Sequence, residues 1–292
     1  MKQKTYLYLM VTFMLWGSLF VVTQFVLGKI PTFTVAMFRY LSSFIALSAA
    51  AWKKEKEVIE RQDYKYFFIV GFIGYFLAVD FQLLGTKFAG SSIASLLNSM
   101  NPVFISVMAA FILKEKLTKA KIAGLLLSMA GVYLIIGHGA SVSPVGIFFS
   151  LAAVLGWAFM SVISRKISRK YSSLTITRYA MLIAAVCNIP VSFCEICITH
   201  PVIEPDLSAV LGLLYMGLVC TAFTNILWNK SLSLLPANTC SAFYPVQTLT
   251  SSLLGIFLFH EVLTISFLAG TLCIIIGVLI SLLDIPRKPK KP

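Results

Sequence analysis

The sequence predicts an all-α polytopic membrane protein, with ten transmembrane helices arranged as two inverted five-helix repeats. Three observations carry this: an apolar composition, ten stretches of membrane-spanning length, and one pattern written twice with opposite charge. The 292 residues are 59% hydrophobic and only 12% charged, with a mean hydropathy of +0.90. Soluble domains are about 45–50% apolar and about 25% charged. So little polar surface cannot keep a monomer of this size in water.

A membrane helix needs about 20 mainly apolar residues. Ten stretches qualify, at 5–27, 32–52, 66–86, 91–113, 120–138, 144–164, 174–198, 207–229, 237–259 and 265–284. Lys2 and Lys4 precede an apolar stretch too long for a signal-peptide core, with no small-x-small site behind it, so it reads as span 1. The longest polar stretch, Lys53 to Lys65, leaves no room for a soluble domain. The predicted organisation is a first repeat at 1–139, a second at 140–284 and a basic tail at 285–292.

Lys and Arg counts in the loops set the orientation. With the N-terminus inside, twenty basic residues fall on the inner side: Lys2 and Lys4, the Lys53–Lys65 group, the Lys114–Lys121 group, Arg165 to Lys170, Lys230 and the tail. Two, Lys29 and Lys87, fall outside. Both termini are therefore expected in the cytoplasm of an inner-membrane protein. The formal charge of +13 sits in short clusters between apolar runs. That is the pattern of cytoplasmic loops, not of a nucleic-acid-binding face.

The repeat is visible in two stretches. KEKLTKAKIAGLLLSMAGV runs from Lys114 to Val132, and HEVLTISFLAGTLCIIIGV from His260 to Val278. Glu115 and Glu261, Gly124 and Gly270, and Gly131 and Gly277 are each 146 residues apart. Upstream, Gly17, Arg39 and Tyr40 match Gly156, Arg178 and Tyr179 at an offset of 139. Five spans per half is an odd number, so the second half inserts upside down. The lysine-rich copy then faces inward, and the lysine-free copy faces outward. Inverted repeats with a binding site near the bilayer midplane are a design of secondary transporters.

Charges inside spans are costly, about 2.5–3.5 kcal/mol each at a helix centre, and mark function or pairing. Arg39 in span 2 and Asp80 in span 3 lie at similar depth; they pair, or Arg39 holds a carboxylate or phosphate of a substrate. Arg178 is the counterpart of Arg39, within expected reach of Asn225 and Asn229, whereas Asp80 maps onto Ile226. Spans 4 and 9 are the most polar. Asn98 and Asn101 share a helical face beside Pro102, matched in span 9 by Tyr244, Gln247 and Thr248, with Pro245 nearby. Proline frees a backbone carbonyl, acceptable at membrane depth where protein or a cavity satisfies it. Small residues such as Ser91, Ser92, Ala94 and Ser95 read as helix packing. Trp16 and Trp157 open the two halves and read as cavity wall or as core. Glu195 and His260 near outer span ends are candidate proton carriers or simply solvated. The candidate cavity is thus Trp16, Arg39, Asp80, Asn98, Asn101, Trp157, Arg178, Asn225, Tyr244 and Gln247, with Pro102, Glu115, Gly124, Gly131, Glu261, Gly270 and Gly277 as framework.

Enzyme readings find no footing. His260-Glu261 lacks a second His at Thr264, no phosphate-cradling loop follows a strand, and no paired membrane carboxylates stand out. The six cysteines lie in or beside apolar stretches, and Cys194 and Cys197 read as packing rather than a redox pair. No cofactor or metal is called for.

These motifs, taken in order, resemble the drug/metabolite transporter superfamily, and within it the ten-span EamA-type transporters. L15-W-G-S-L-F20, M100-N-P-V103 with K114-E-K-L-T118, and H260-E-V-L-T264 with its glycine tail carry the resemblance over nearly the whole chain. Thr248 where the first half has Pro102, and Phe259-His260 before the Glu, depart from it. The resemblance implies two inverted bundles whose first four helices surround a central cavity while the fifth sit outside. Substrates of the family include amino acids, amphipathic metabolites, sugars, nucleotide derivatives and drugs. The expectation is a secondary-active carrier that exports small organic metabolites by alternating access. Its partners are the lipid bilayer and a small-molecule substrate, with a proton as the candidate coupling ion. Uptake of a nutrient or precursor, and a membrane binding protein that never cycles, are the alternatives.

Overall fold

A computed structural model gives the chain as helices, with no strand among the described residues. The structure describes residues 2–52, 57–113, 118–137, 143–168, 170–201, 206–235, 240, 243–259 and 265–283. The first half contains Lys2–Leu27 (span 1), Thr32–Ala51 (span 2), Arg61–Ala89 (span 3), the broken pair Ser91–Asn98 and Asn101–Leu113 (span 4) and Lys119–Gly137 (span 5). The second contains Pro144–Ile167, Ser173–Thr199, Leu207–Leu234, Tyr244–Phe259 and Ile265–Leu283 (spans 6 to 10). Spans 1, 2, 3, 6, 7 and 8 are long and apolar enough to cross a bilayer unaided. Each helix falls on a stretch expected from hydropathy.

Local chemistry sets the ends. Ser143 caps span 6 by accepting from the amide of Gly146, with Pro144 in the first turn where its missing N–H costs nothing. Ser172 and Asp206 cap spans 7 and 8 through the amides of Thr175 and Ala209. Gly90 joins spans 3 and 4 at φ 83°, a left-handed turn that glycine adopts without steric cost. Pro102 lies in the first turn of the second segment of span 4, so the break falls just before it, at Ser99 and Met100. Pro245 likewise sits in the first turn of span 9.

The two halves interlock about a pseudo-twofold. Span 2 packs on its own equivalent, span 7, and span 5 on span 10. Span 3 packs on span 6 as span 8 packs on span 1, and span 4 on span 6 as span 9 on span 1. The equivalent helices run antiparallel. Thr34 meets Ser192 while Thr32 meets Glu195, and Thr248 meets Ser95 while Ser251 meets Ser91. Antiparallel equivalents are what an inverted repeat requires.

The glycine pattern has a direct purpose in spans 5 and 10. A Cβ on Gly131 would stand 2.6 Å from the carbonyl oxygen of Gly270, and one on Gly277 2.6 Å from that of Gly124. All four glycines are buried. The shared Gly-x6-Gly is therefore a reciprocal lock, each copy giving the other's backbone room for close van der Waals approach. Glu115 and Glu261, with His260, lie outside the described residues.

Spans 3 and 8 share a feature that hydropathy does not encode. Each widens into a π-helical stretch, Val70–Leu77 and Tyr215–Phe223. Shifted by 146, the second covers residues 69–77. Such wide turns are uncommon and concentrate at functional sites.

Replacing Gly131 or Gly277 with leucine is expected to pry spans 5 and 10 apart, at a cost of about 1–3 kcal/mol, the usual range for overpacking. Thermal unfolding in detergent should show a lowered midpoint for both variants. Gly28→Ala, whose Cβ meets just one carbonyl at 3.5 Å, should leave it unchanged. Equal midpoints for all three would sink the lock.

Candidate functional site

Between the halves lies a narrow cleft with about 30 Å3 of water-sized free space, drawn out between side chains rather than as one open chamber. Span 1 contributes Trp16, Leu19 and Phe20; span 2, Arg39; span 3, Tyr75, Ala78, Val79 and Gln82. Asn98 comes from span 4, Ala153 and Trp157 from span 6, Asn225 from span 8, and Tyr244 and Gln247 from span 9. Spans 5, 7 and 10 contribute none of these.

An aromatic frame shapes the walls. Trp16 and Trp157 meet edge to face at 5.7 Å between ring centroids, and Tyr75 meets Trp157 the same way at 5.6 Å. Phe13, Trp228 and Tyr244 back this frame. The rings are pinned by polar bonds across the halves. Trp16 Nε1 donates to Thr224 Oγ1 at 2.9 Å, and Tyr75 Oη to Asn225 Oδ1 at 2.8 Å. Asn225 Nδ2 donates in turn to the carbonyl of Thr221. The π stretch of span 3 thus places Tyr75 on the cleft, and that of span 8 supports Asn225 through the Thr221 carbonyl.

Arg39 is the strongest charge in the site. It is 4% exposed. Its Nε donates to Thr221 Oγ1 at 2.6 Å, and its guanidinium lies 5.7 Å from the Tyr40 ring. Nη1 has no hydrogen-bond partner. A desolvated cation with one neutral partner is expensive unless an anion completes it. Gln247 Nε2 is likewise buried without a partner. Trp157 Nε1 and Tyr244 Oη approach one another without closing a well-aligned hydrogen bond. The arrangement can hold a molecule with an apolar or aromatic body and one anionic or strongly accepting group.

Of the residues singled out from sequence, the fold brings Trp16, Arg39, Asn98, Trp157, Asn225, Tyr244 and Gln247 to one cleft. Asp80, Asn101 and Arg178 are elsewhere. Asp80 is buried off the cleft, beside Asn188 of span 7, and no ion pair within 4.0 Å joins it to Arg39. Asn101 is spent on span 4 itself, donating to the carbonyl and side-chain oxygen of Asn98 across the helix break. Arg178 corrects an expectation. It is half-buried over the Tyr179 ring at 4.9 Å, and no hydrogen bond joins it to Asn225 or Asn229 among the described residues. Those two are engaged by Tyr75 and Thr221, and by Ser164 and Thr177. Cys194 and Cys197, expected as packing, are exposed at the end of span 7, and Cys220 is buried beside Trp16. Tyr75, Gln82 and Thr221 were not foreseen. Tyr75 and Thr221 occupy the same place in the two halves, 146 apart, and a polar residue at one spot in both copies is the signal that would have found them.

Both ends of the bundle are clasped, and the clasps match. At one face Lys29 Nζ bonds Asp206 Oδ2 at 2.5 Å and Ser208 at 3.0 Å, and Glu195 accepts from the amides of Thr32 and Phe33 that begin span 2. At the other, Lys170 Nζ bonds Glu60 and Asp63, both at 2.6 Å, and Glu57 accepts from the amide of Ser172 that begins span 7. Asp206 and Glu60 are 146 apart; Ser172 and Phe33 are 139 apart. Each is an acidic group tying one hairpin to the loop of the other half. The Asp63 and Glu60 carboxylates hold the Lys170 ammonium charged above the usual lysine range. Lys29, with Ser208 and the Ala209 amide, pulls the Asp206 carboxyl down to about 2. A carboxyl depressed below its ordinary value of about 3.9 stabilises the closed clasp above that value. The contribution fades as pH falls through about 2. Spin labels across the Lys29–Asp206 clasp should therefore separate on acidification toward pH 2, and Asp206→Asn should separate them already at neutral pH. An unchanged distance in the variant would show that the pair closes nothing.

The EamA-like transporter family matches the chain twice, at residues 3–137 and 144–283. An uncharacterized transporter of Archaeoglobus fulgidus is 24% identical over 89% of this chain and 91% of its own. The uncharacterized transporter YcxC of Bacillus subtilis is 29% identical over 74% of this chain and 72% of its own. A probable amino-acid metabolite efflux pump of Salmonella typhimurium is 25% identical over 91% of this chain and 90% of its own. One solved crystal structure superposes with a TM-score of 0.70 at 19% identity, covering 95% of this chain and 98% of the other, which bears on the fold alone.

Proposed function

Because the chain belongs to the EamA-like transporter family, we propose that it is a secondary-active carrier of small organic metabolites, amino acids or amphipathic compounds among them, working by alternating access. One observation carries the reading: a buried cleft between inverted halves holds a guanidinium without a counter-ion, and both ends are shut by matching clasps. A ligand completing Arg39 would favour the closed arrangement, and release of one clasp or the other would open one face at a time. The differential affinity of the two open states for the ligand then drives the cycle.

Export is the proposed direction, drawn from the Salmonella typhimurium relative that is a probable amino-acid metabolite efflux pump. The proposed units are 1–139 and 140–284, with 285–292 as a cytoplasmic tail. The proposed setting is the inner membrane with both termini in the cytoplasm, so the Lys170 clasp is cytoplasmic and the Lys29 clasp extracytoplasmic. The reading assigns transport, not chemistry, to the cleft: its polar groups are amides, hydroxyls, indoles and a guanidinium, and none pairs a nucleophile with a base.

Purified protein in liposomes should move a radiolabelled metabolite down its gradient and show counterflow. Binding without counterflow would replace the carrier with a membrane binding protein. In a background freed of native cysteines, single cysteines at Thr118 and Thr264 should label from opposite faces; labelling from one face would refute the inverted topology.

A further inference from the structure

Asp80 is the buried charge that the cleft does not use. It is 4% exposed in span 3, and its Oδ1 has no hydrogen-bond partner. An ionised carboxylate in that position lacks both an ion pair and a full set of donors, which low-dielectric surroundings penalise heavily. Its surroundings are polar on one side. Asn188 of span 7, fully buried, stands beside it with its own Oδ1 unpartnered. One helical turn outward on the same face of span 7, buried Ser192 shares a 2.8 Å hydrogen bond with Thr34 of span 2. One turn further, half-buried Glu195 closes the column at the face of the Lys29 clasp. Positions 188, 192 and 195 follow the three-to-four residue spacing of one helix stripe. The titratable and charged groups facing Asp80 are Arg39 and Tyr40 on span 2 and Cys187 and Glu195 on span 7.

We infer that Asp80 is a proton-binding site, reached from the extracytoplasmic face through Glu195, the Ser192–Thr34 pair and Asn188, and linked to the cleft by Arg39. The inference rests on the carrier reading for its purpose but not for its chemistry. A proton leaves extracytoplasmic water, passes the column and converts the Asp80 carboxylate to the acid; it returns to water on release, and nothing is oxidised or reduced. The link is electrostatic. Arg39 stands with its Nε on Thr221 and a free Nη1, at the cleft, and its neighbour Tyr40 donates to the Tyr75 carbonyl, tying span 2 to span 3 a turn before Asp80. Ionised Asp80 offers Arg39 a negative charge on the adjoining span, beyond the 4.0 Å of an ion pair. Protonated Asp80 supplies none, and leaves Arg39 to an anionic group in the cleft. Proton and anionic ligand therefore favour each other's binding, and by linkage the preference is mutual. They travel together, and the cycle runs outward when the metabolite gradient exceeds the opposing proton gradient. The second half has Ile226 where the first has Asp80, so one proton site serves the whole molecule.

The direct test needs no substrate. Full-length protein, with aspartate heavy-isotope-labelled at its side-chain carboxyl, is reconstituted in liposomes and examined by infrared difference spectroscopy as pH is stepped. A protonated-carboxyl band that shifts with the label should appear in the wild type, vanish in Asp80→Asn and persist in Glu195→Gln. Where Asp80→Asn does not fold, a variant with Asp63, Asp206 and Asp284 all changed to Asn must keep the band. Absence of the labelled band from the wild type, its survival in Asp80→Asn or its loss from the triple variant overturns the inference. Transport supplies the second arm, with radiolabelled phenylalanine as probe. Asp80→Asn should keep counterflow and lose accumulation driven by a pH gradient; gradient-driven accumulation equal to wild type overturns the coupling. A wild type with the infrared band but without counterflow would tell against the carrier reading and leave the Asp80 site standing.

Discussion

No water reaches the backbone inside a bilayer core, so every peptide group there must find its partner within the chain. That constraint makes the fold helical before any side chain is considered. It also limits where the helices may depart from regular form. Among the described residues the departures are the break at Ser99 and Met100 in span 4, the π stretches of spans 3 and 8, and Pro190 within span 7. Spans 3, 4 and 8 all line the cleft. The amide side chain of Asn101 turns back on the carbonyl of Asn98 at the break, and Thr221 Oγ1 donates to the carbonyl of Met216 within the π stretch. At the break and in the π stretch of span 8, side chains take up carbonyls that the regular helix would otherwise engage.

The frame is doubled, but its chemistry is single. Arg39 and Arg178 occupy equivalent places, yet one is buried on the cleft and the other stacks half-buried over Tyr179. Tyr75 answers to Thr221 and Asp80 to Ile226. A duplicated bundle needs equal packing surfaces in both copies, because helices 2 and 7, and 5 and 10, each meet their own equivalent. It needs no equality at the centre, where the two halves share one cleft. The glycines of spans 5 and 10 fall under the first demand and stay matched; the charges fall under the second and diverge.

That division also decides what could be read from sequence. The ten spans, the inversion and the glycine spacing were legible because hydropathy, loop charge and a fixed offset each record a packing or insertion constraint directly. Seven of the ten cavity candidates meet at one cleft because polar residues in apolar spans are few, and burial costs keep them together. The failures are local. Depth along the span brings Arg178 level with Asn225 and Asn229, but depth does not give rotation about the helix axis, and rotation turns it toward Tyr179. Asp80 was placed at the right depth for Arg39, yet faces span 7. The π stretches add a residue per turn, which shifts every face beyond them, so Tyr75 and Gln82 could not be assigned by a period of 3.6.

The clasps complete this logic at the ends of the bundle. Closing a cleft at two faces with one sequence pattern requires the same contact to form twice in opposite directions. Glu195 capping the start of span 2 and Glu57 capping the start of span 7 are that contact. The cation differs slightly: Lys29 meets one carboxylate, whereas Lys170 meets two and Tyr171 adds a third bond to Asp63. Exposed ion pairs are individually weak, typically about 0–1 kcal/mol, so neither clasp is a barrier that thermal motion could not cross. Their weakness suits the role. In the proposed carrier cycle, a gate held by a few exposed bonds opens readily, and the closed state would be favoured while a ligand completing Arg39 adds its own stabilisation. On that proposal, occupancy of the cleft rather than the strength of the clasps would decide when the bundle stays shut.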